Sequence, residues 1–211
     1  MNAEGMNKAV ITSTPHGSVV IIWRATGQGP KIVRVLLSIP AKLAERRASE
    51  LYPTARTTSC AEVDAVAAGI QRLLEGEPIE FSLNTAELSS CGEFQQRVLR
   101  AEHAIPRGSV STYKLIATHL GVPGGARAVG NALANNPFPL IVPCHRAIRS
   151  DRSLGGYQGG LAMKRALLTK EGIAFDNSGR VECARFHYEE QGRTSRSSRP
   201  EGRMLLSNIS V

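Results

Sequence analysis

Two runs rich in β-branched residues, Val19-Val20-Ile21-Ile22-Trp23 and Lys31-Ile32-Val33-Arg34-Val35-Leu36-Leu37, flank Gly27-Gln28-Gly29-Pro30, and this pattern constrains the fold most. Branching at Cβ suits a pleated strand, and a glycine-proline cluster reverses the chain, so residues 19–37 read as a hairpin. Ala9-Val10-Ile11 supplies a third strand before Pro15-His16-Gly17. The hydrophobic period then changes. Val63, Val66, Ala67, Ile70, Leu73 and Leu74 recur at helical spacing and define an amphipathic helix closed near Gly76. Ile79-Glu80-Phe81-Ser82-Leu83 alternates like a strand. Residues 1–86 are therefore expected to form a small α/β scaffold, and they announce no chemistry.

From Ser89 the texture is helical. Phe94, Val98 and Ala101 share one face until Ile105-Pro106-Arg107-Gly108 breaks the helix. Ser111 or Thr112 is placed to cap the next helix, whose Ile116, Ala117 and Leu120 face inward. Gly121-Val122-Pro123-Gly124-Gly125 makes a turn into a short helix with Ala126, Val129 and Leu133 inward, ended by Asn136-Pro137. Two short helices about a glycine turn are a helix-turn-helix candidate, although a helical hairpin inside a core has the same pattern. Met163, Ala166 and Leu167 mark a last helix ending at Glu171-Gly172. Between the two lies Gly155-Gly156-Tyr157-Gln158-Gly159-Gly160, where missing side chains allow close approach of backbone to a ligand.

A net charge of +8 attracts polyanions and suits, without requiring, nucleic acid. No apolar run reaches the length of a membrane span, and the N-terminus lacks a secretory pattern, so an intracellular protein is expected. Cys60, Cys91, Cys144 and Cys183 show no C-x-x-C pair, which argues against both a disulfide framework and a structural zinc site. The dipeptide Cys144-His145 joins a thiol to an imidazole able to activate it. Alone it is weak, because most such pairs are structural; a cysteine hydrolase, a DNA-binding regulator and a transferase all remain open on these residues.

Three blocks narrow the choice. IPRGSVSTYKLIATHLG, GGARAVGNALANNPFPLIVPCHRAI and GGYQGGLAMKRALLTKEG, between Ile105 and Gly172, resemble in order and spacing the methylated-DNA–protein-cysteine methyltransferases, or O6-alkylguanine-DNA alkyltransferases. The resemblance implies an α+β chain: a ribonuclease-H-like α/β domain over 1–86, then a mostly helical DNA-binding and alkyl-acceptor domain over 87–184. That second domain would carry a winged-helix-like helix-turn-helix. Outside the resemblance, residues 185–211 are polar and basic in composition and read as a disordered tail. The resemblance implies a single-turnover S-methyltransferase that flips O6-alkylguanine from duplex DNA and moves the alkyl group irreversibly to Cys144.

By the same resemblance, His145 and Glu171 activate the sulfur through a water, keeping it ionised. Asn136 is a hinge holding the helix-turn-helix against the strand that carries the nucleophile. Tyr113 promotes nucleotide rotation and donates to the departing base. Arg127 fills the vacated stack, with Ala126 and Gly130 on a small-residue face lying in the minor groove. The Gln158 amide would meet O6, carbonyls of Cys144 and Ala147 would receive the exocyclic amine, and Pro139, Tyr157 and Gly159 would complete the pocket. Three positions depart from the usual pattern: Ala147 for valine, Gln158 for a small residue and Leu99 for tryptophan. No cofactor and no metal are expected, since Cys60 and His16 offer no convincing ligand set. The expected partner is double-stranded DNA bearing O6-alkylguanine, met by a monomer with no obligate protein partner and no membrane attachment, in the cytoplasm or a eukaryotic nucleus. A damage-binding relative lacking the cysteine is disfavoured by Cys144 itself.

Overall fold

The computed structural model describes residues 5–12 and 14–189. It is a mixed helix-and-sheet fold. The expected hairpin forms as β2 (Val19–Thr26) and β3 (Gly29–Leu37), and β1 (Asn7–Ile11) pairs antiparallel with β2. A short β4 (Arg56–Thr57) joins β1 in parallel, giving the order β3-β2-β1-β4. Pro30 is tolerated because β3 is an edge strand.

The sheet is covered on both faces, which explains why β2 is apolar without alternation. Val20, Ile22, Val33 and Leu36 pack against Ala44 and Ala48 of α1 (Ala44–Leu51), a helix the sequence reading leaves unassigned. Val19, Ile21, Trp23, Val35 and Leu37 face α2 (Ala61–Glu75) and the helical half in one shared core. Main-chain bonds cross between the halves, Val35 N–H to the Pro137 carbonyl at 2.8 Å and Glu87 N–H to the Ile32 carbonyl at 2.8 Å.

Ile79–Leu83 does not form the expected strand. Its backbone joins no sheet; Ile79 and Phe81 plug the core beside Gly69 of α2, and residues Leu83–Thr85 turn into a 3-10 helix. The alternation records which side chains point inward in an extended strap, which strand and strap share.

The helical half comprises α3 (Glu93–His103), α4 (Tyr113–His119), α5 (Ala126–Ala134) and α6 (Gly160–Lys170). The Thr112 hydroxyl accepts from the Leu115 amide at 3.1 Å and caps α4. Two-residue strands β5 (Ser111–Thr112) and β6 (Ala147–Ile148) pair in parallel, and β7 (Ala174–Phe175) and β8 (Val181–Glu182) form a small hairpin after α6.

The segment 186–188, expected within a disordered tail, is docked. The His187 amide donates to the Val110 carbonyl at 2.8 Å, the Tyr188 hydroxyl to Ala101 at 2.8 Å, and the Tyr188 ring stacks on His119 at 3.8 Å. The aromatic side chains of this segment give it apolar surface to bury. The rest of that expectation, over 190–211, lies outside the described residues. No described helix is long and apolar enough to cross a membrane.

Candidate functional site

The approach to Cys144 is a tight turn rather than the expected strand. Leu140 holds φ 73, a left-handed conformation unfavourable for a side chain by about 1–2 kcal/mol, and Val142 N–H closes onto the Phe138 carbonyl at 2.8 Å. Asn136, just past α5, clasps this turn: its Oδ1 accepts from Phe138 N–H at 2.9 Å and its Nδ2 donates to the Val142 carbonyl at 3.4 Å. Cys144, His145 and Arg146 then form one turn of 3-10 helix, all three buried.

Behind the cysteine is a closed ionic cluster. Glu171 Oε1 lies 2.9 Å from His145 Nε2, and the Arg146 guanidinium grips the same carboxylate through Nη2 to Oε1 at 2.8 Å and Nε to Oε2 at 3.0 Å. Arg146 Nη1 also donates to the Ile105 carbonyl at 2.6 Å. Burial alone would raise the Glu171 carboxyl, but bonds from His145 and Arg146 overcome it and hold the group at about 2. His145 is pushed below its ordinary range by burial, against the pull of Glu171. A neutral imidazole donating from Nε2 leaves Nδ1 as an acceptor, and Nδ1 is buried without a hydrogen-bond partner among the described residues.

Burial likewise pushes the Cys144 thiol up to about 11, with the Asn136 amide pulling the other way. Burial thus works against the standing thiolate expected from His145 and favours the thiol in the closed site. The site stores a thiol beside a neutral base whose imidazolium form Glu171 would stabilise.

Cys144 opens into a cavity of 340 Å³ lined by Tyr113, Gly130, Leu133, Ala134, Arg149, Gly156, Tyr157 and Gln158. That volume falls within the ~300–1,000 Å³ usual for small-molecule sites. The Tyr113 hydroxyl is raised to about 12 by burial and by the fields of Glu102 and Cys144, so it enters the cavity as a donor. A Cβ on Gly155 would come within 2.7 Å of that hydroxyl, at a backbone φ of 68, so glycine is required twice over. Tyr157 meets His145 edge-on at 6.3 Å.

Arg127 is exposed on the first turn of α5, and helical spacing aligns it with Gly130 and Ala134, which line the cavity. A Cβ at Gly130 would meet nothing within 4 Å, so that face is open. Ala126 lies half-buried at the start of α5, away from the lining.

Three expected pocket residues stand behind the lining. Pro139 is buried in the turn before Cys144, bridged to Val142. Gly159 packs under Tyr157 and Met163, where a Cβ would collide. Ala147 is fully buried on β6, and its carbonyl accepts from Lys164 Nζ at 2.6 Å. The Gln158 side chain does more than its backbone was expected to do: Nε2 donates to the carbonyls of Ala134 at 3.1 Å and Asn136 at 2.6 Å, tying the glycine loop to the end of α5. Cys60 and His16 join no metal-binding group of His, Cys, Asp or Glu among the described residues.

Sequence reasoning missed Arg146, Lys164 and Glu102. A usable signal existed for the last two: Lys164 sits one turn from Leu168, and Glu102 one turn from Val98, on helix faces that are otherwise apolar.

Comparison with known proteins agrees with this geometry. The family model for the 6-O-methylguanine DNA methyltransferase DNA-binding domain matches residues 93–173. A methylated-DNA–protein-cysteine methyltransferase of Methanothermobacter thermautotrophicus is 45% identical over 107 residues, 51% of this chain and 60% of that protein, so the match spans less than two thirds of the archaeal relative. Its counterpart from Mycolicibacterium paratuberculosis is 42% identical over 130 residues, 60% of this chain and 77% of the relative. The crystal structure of the Mycobacterium tuberculosis O6-methylguanine methyltransferase superposes with a TM-score of 0.62 at 33% identity, covering 79% of this chain and 92% of that one. A structure of the Mycobacterium tuberculosis protein in complex with DNA superposes with a TM-score of 0.58 at 32% identity, covering 79% of this chain and 91% of that one. Similarity of this kind, carried through sequence and fold alike, means that the chain belongs to the methylated-DNA–protein-cysteine methyltransferase family.

Proposed function

We propose that this chain is a DNA repair protein that flips O6-alkylguanine out of the duplex and transfers the alkyl group to its own Cys144, restoring guanine. The observation that carries this reading is one cavity, beneath α5, shared by the Cys144 sulfur and the Tyr113 hydroxyl. Inside the duplex the reacting atom is shielded by its neighbours, so the base must leave the stack. Arg127 fills the vacated place while the small-residue face of α5 lies in the minor groove.

In the cavity the sulfur electron pair forms the S–C bond as the O6–C bond breaks. The thiol proton goes to His145, whose new charge Glu171 compensates. Guanine takes a proton from the Tyr113 hydroxyl and leaves as the neutral base; the imidazolium proton returns the tyrosine to its starting state. Net, one thiol and one alkyl ether become one thioether and one guanine. A thioether has no acyl carbon for water to attack and does not exchange with thiols, so each molecule acts once. One chain supplies every group in the scheme, and we take it to work as a monomer without cofactor, metal or obligate protein partner. Four free cysteines suit a reducing compartment that holds DNA, the cytoplasm or a eukaryotic nucleus.

The proposed division of the chain follows the roles. Residues 1–86, with an antiparallel β1–β3 meander and a parallel β4, support a ribonuclease-H-like scaffold. Residues 87–184 form the acceptor domain, where α4, α5 and the β7–β8 hairpin support a winged-helix-like helix-turn-helix. Incubation with an O6-methylguanine duplex and peptide mass mapping tests the whole reading: one methyl group per chain on Cys144 is expected, and a label on Cys60, Cys91 or Cys183 would overturn it.

A further inference from the structure

The inner face of α3 is apolar at Val98, Leu99 and Ala101, yet Glu102 stands on it with 0% exposure. Both its carboxyl oxygens are buried without a hydrogen-bond partner among the described residues. Buried polar groups are almost always satisfied, and an isolated buried carboxylate is costly, so this residue needs an explanation. The repair scheme above makes no use of it.

Its surroundings supply one. From α6 comes Lys164, itself 0% exposed, whose ammonium donates to two neutral carbonyls, Ala147 at 2.6 Å and Gly156 at 3.3 Å. Arg146 also acts on Glu102, but its guanidinium is already committed to Glu171 and Ile105. The Ala147 amide approaches the carboxyl without closing a hydrogen bond. Tyr113 and Tyr188 feel the Glu102 charge from α4 and the C-terminal segment, and Arg149 acts on Lys164 and Tyr113. The α5 helix carries only the exposed Arg127. Both Glu102 and Lys164 exert their fields on the Cys144 sulfur, with opposite signs.

We propose that Glu102 is a positioning residue for alkyl transfer: it sets the protonation of Lys164, and through that buried pair the charge that faces the Cys144 sulfur and the Tyr113 hydroxyl. This is a second acid–base pair beside His145–Glu171, whose imidazole also feels the Lys164 charge, and its role in transfer rests on the reading given under Proposed function. Burial raises Glu102 to about 8 and lowers Lys164 to about 8, so both change charge in the same part of the pH scale. Below it the carboxyl is neutral and the ammonium charged, and the net positive charge favours thiolate. Above it the carboxylate is charged and the amine neutral, and the net negative charge opposes thiolate. The acceptor is therefore restrained as pH rises, where an ordinary thiol of the same pKa would keep gaining reactivity.

Packing alone would be served better by leucine. Because the Glu102 carboxyl is raised, its burial is favourable in acid and becomes a cost as pH climbs from 4.5 through about 8.

The test compares wild type, Glu102→Gln and Glu102→Leu in the full chain. Iodoacetamide labelling of Cys144, read by peptide mass mapping, is followed from about pH 6 to about pH 10, a span that brackets the pair. Transfer from free O6-benzylguanine is measured over the same range, with thermal melting alongside. In wild type the labelling rate should bend below a simple thiol ionisation near pH 8. In both variants the Glu102 share of the bend should vanish and the Lys164 share should move to lower pH, because the carboxylate field that raises Lys164 is gone, so the variant-to-wild-type ratio climbs by roughly tenfold across the range, the effect of one unit charge in a protein interior. The Leu variant should also melt higher than wild type at alkaline pH. Superimposable labelling profiles, or variants scaled by one factor at every pH, would overturn the role of Glu102. Altered profiles with no methyl transfer from an O6-methylguanine duplex to wild type would sustain control of the thiol and refute the repair reading instead.

Discussion

Replacing Glu171 with glutamine tests the ionic cluster most directly. The amide keeps the shape of the side chain but removes the charge that Arg146 and His145 share. Arg146, 6% exposed, would retain only the Ile105 carbonyl as a strong partner. Breaking a buried ion pair on one side costs about 3–5 kcal/mol. An independent route gives the same size: holding the carboxyl at about 2 against its ordinary 4.5 stabilises the fold by about 3 kcal/mol. Glu171→Gln is thus a folding mutation as well as a catalytic one, with a melting temperature lowered by about 6–20 °C for a chain of this size. The sign of the pH dependence follows from the depressed pKa. The stabilisation is complete above the ordinary carboxylate pKa and is lost as pH falls from 4.5 through about 2. Urea unfolding of wild type and variant at neutral pH and at several acid values should show two curves converging in strong acid. A variant as stable as wild type at neutral pH, or a gap of constant size down to the lowest pH, would refute the reasoning.

Arg127→Ala should slow transfer from duplex DNA by about tenfold or more while sparing free O6-benzylguanine, because it costs extrusion rather than displacement; equal losses on both substrates would remove the finger role. Gln158→Ala deletes two hydrogen bonds worth about 0.5–1.5 kcal/mol each and frees the glycine loop from α5. The expected result is a lower melting temperature together with a larger relative rate on O6-benzylguanine than on O6-methylguanine, and an unchanged ratio of the two would show that Gln158 does not limit the pocket. Cys144→Ser should bind alkylated duplex yet accept nothing, since a hydroxyl is far less acidic and nucleophilic than a thiol; methyl transfer by the serine variant, or multiple turnover by wild type, would contradict a single irreversible acceptor.

The parts legible in the sequence are those that depend on local pattern. Branched runs about Gly27–Pro30 state a hairpin, because strand preference and turn chemistry act over a few residues. The two helices about Gly121–Gly125, with Thr112 as cap, are legible for the same reason. Ile79–Leu83 shows the limit: alternation reports which side chains are buried, and only the position of other strands decides whether the backbone is paired. The charged interior was illegible for a related cause. Arg146 has meaning only once Glu171, 25 residues away, is folded against it. The cysteine shows this most sharply. Its neighbour His145 suggested a lowered pKa, since sequence displays the adjacent base and hides the burial, whereas desolvation in the folded site pushes the thiol the other way. A buried thiol that ionises only as its proton is taken is shielded from stray electrophiles, and under the single-use chemistry proposed above this protects the whole molecule. The reactivity then depends on groups brought by the fold, Glu171 behind the imidazole and the Glu102–Lys164 pair beside the sulfur, rather than on the dipeptide that first draws attention.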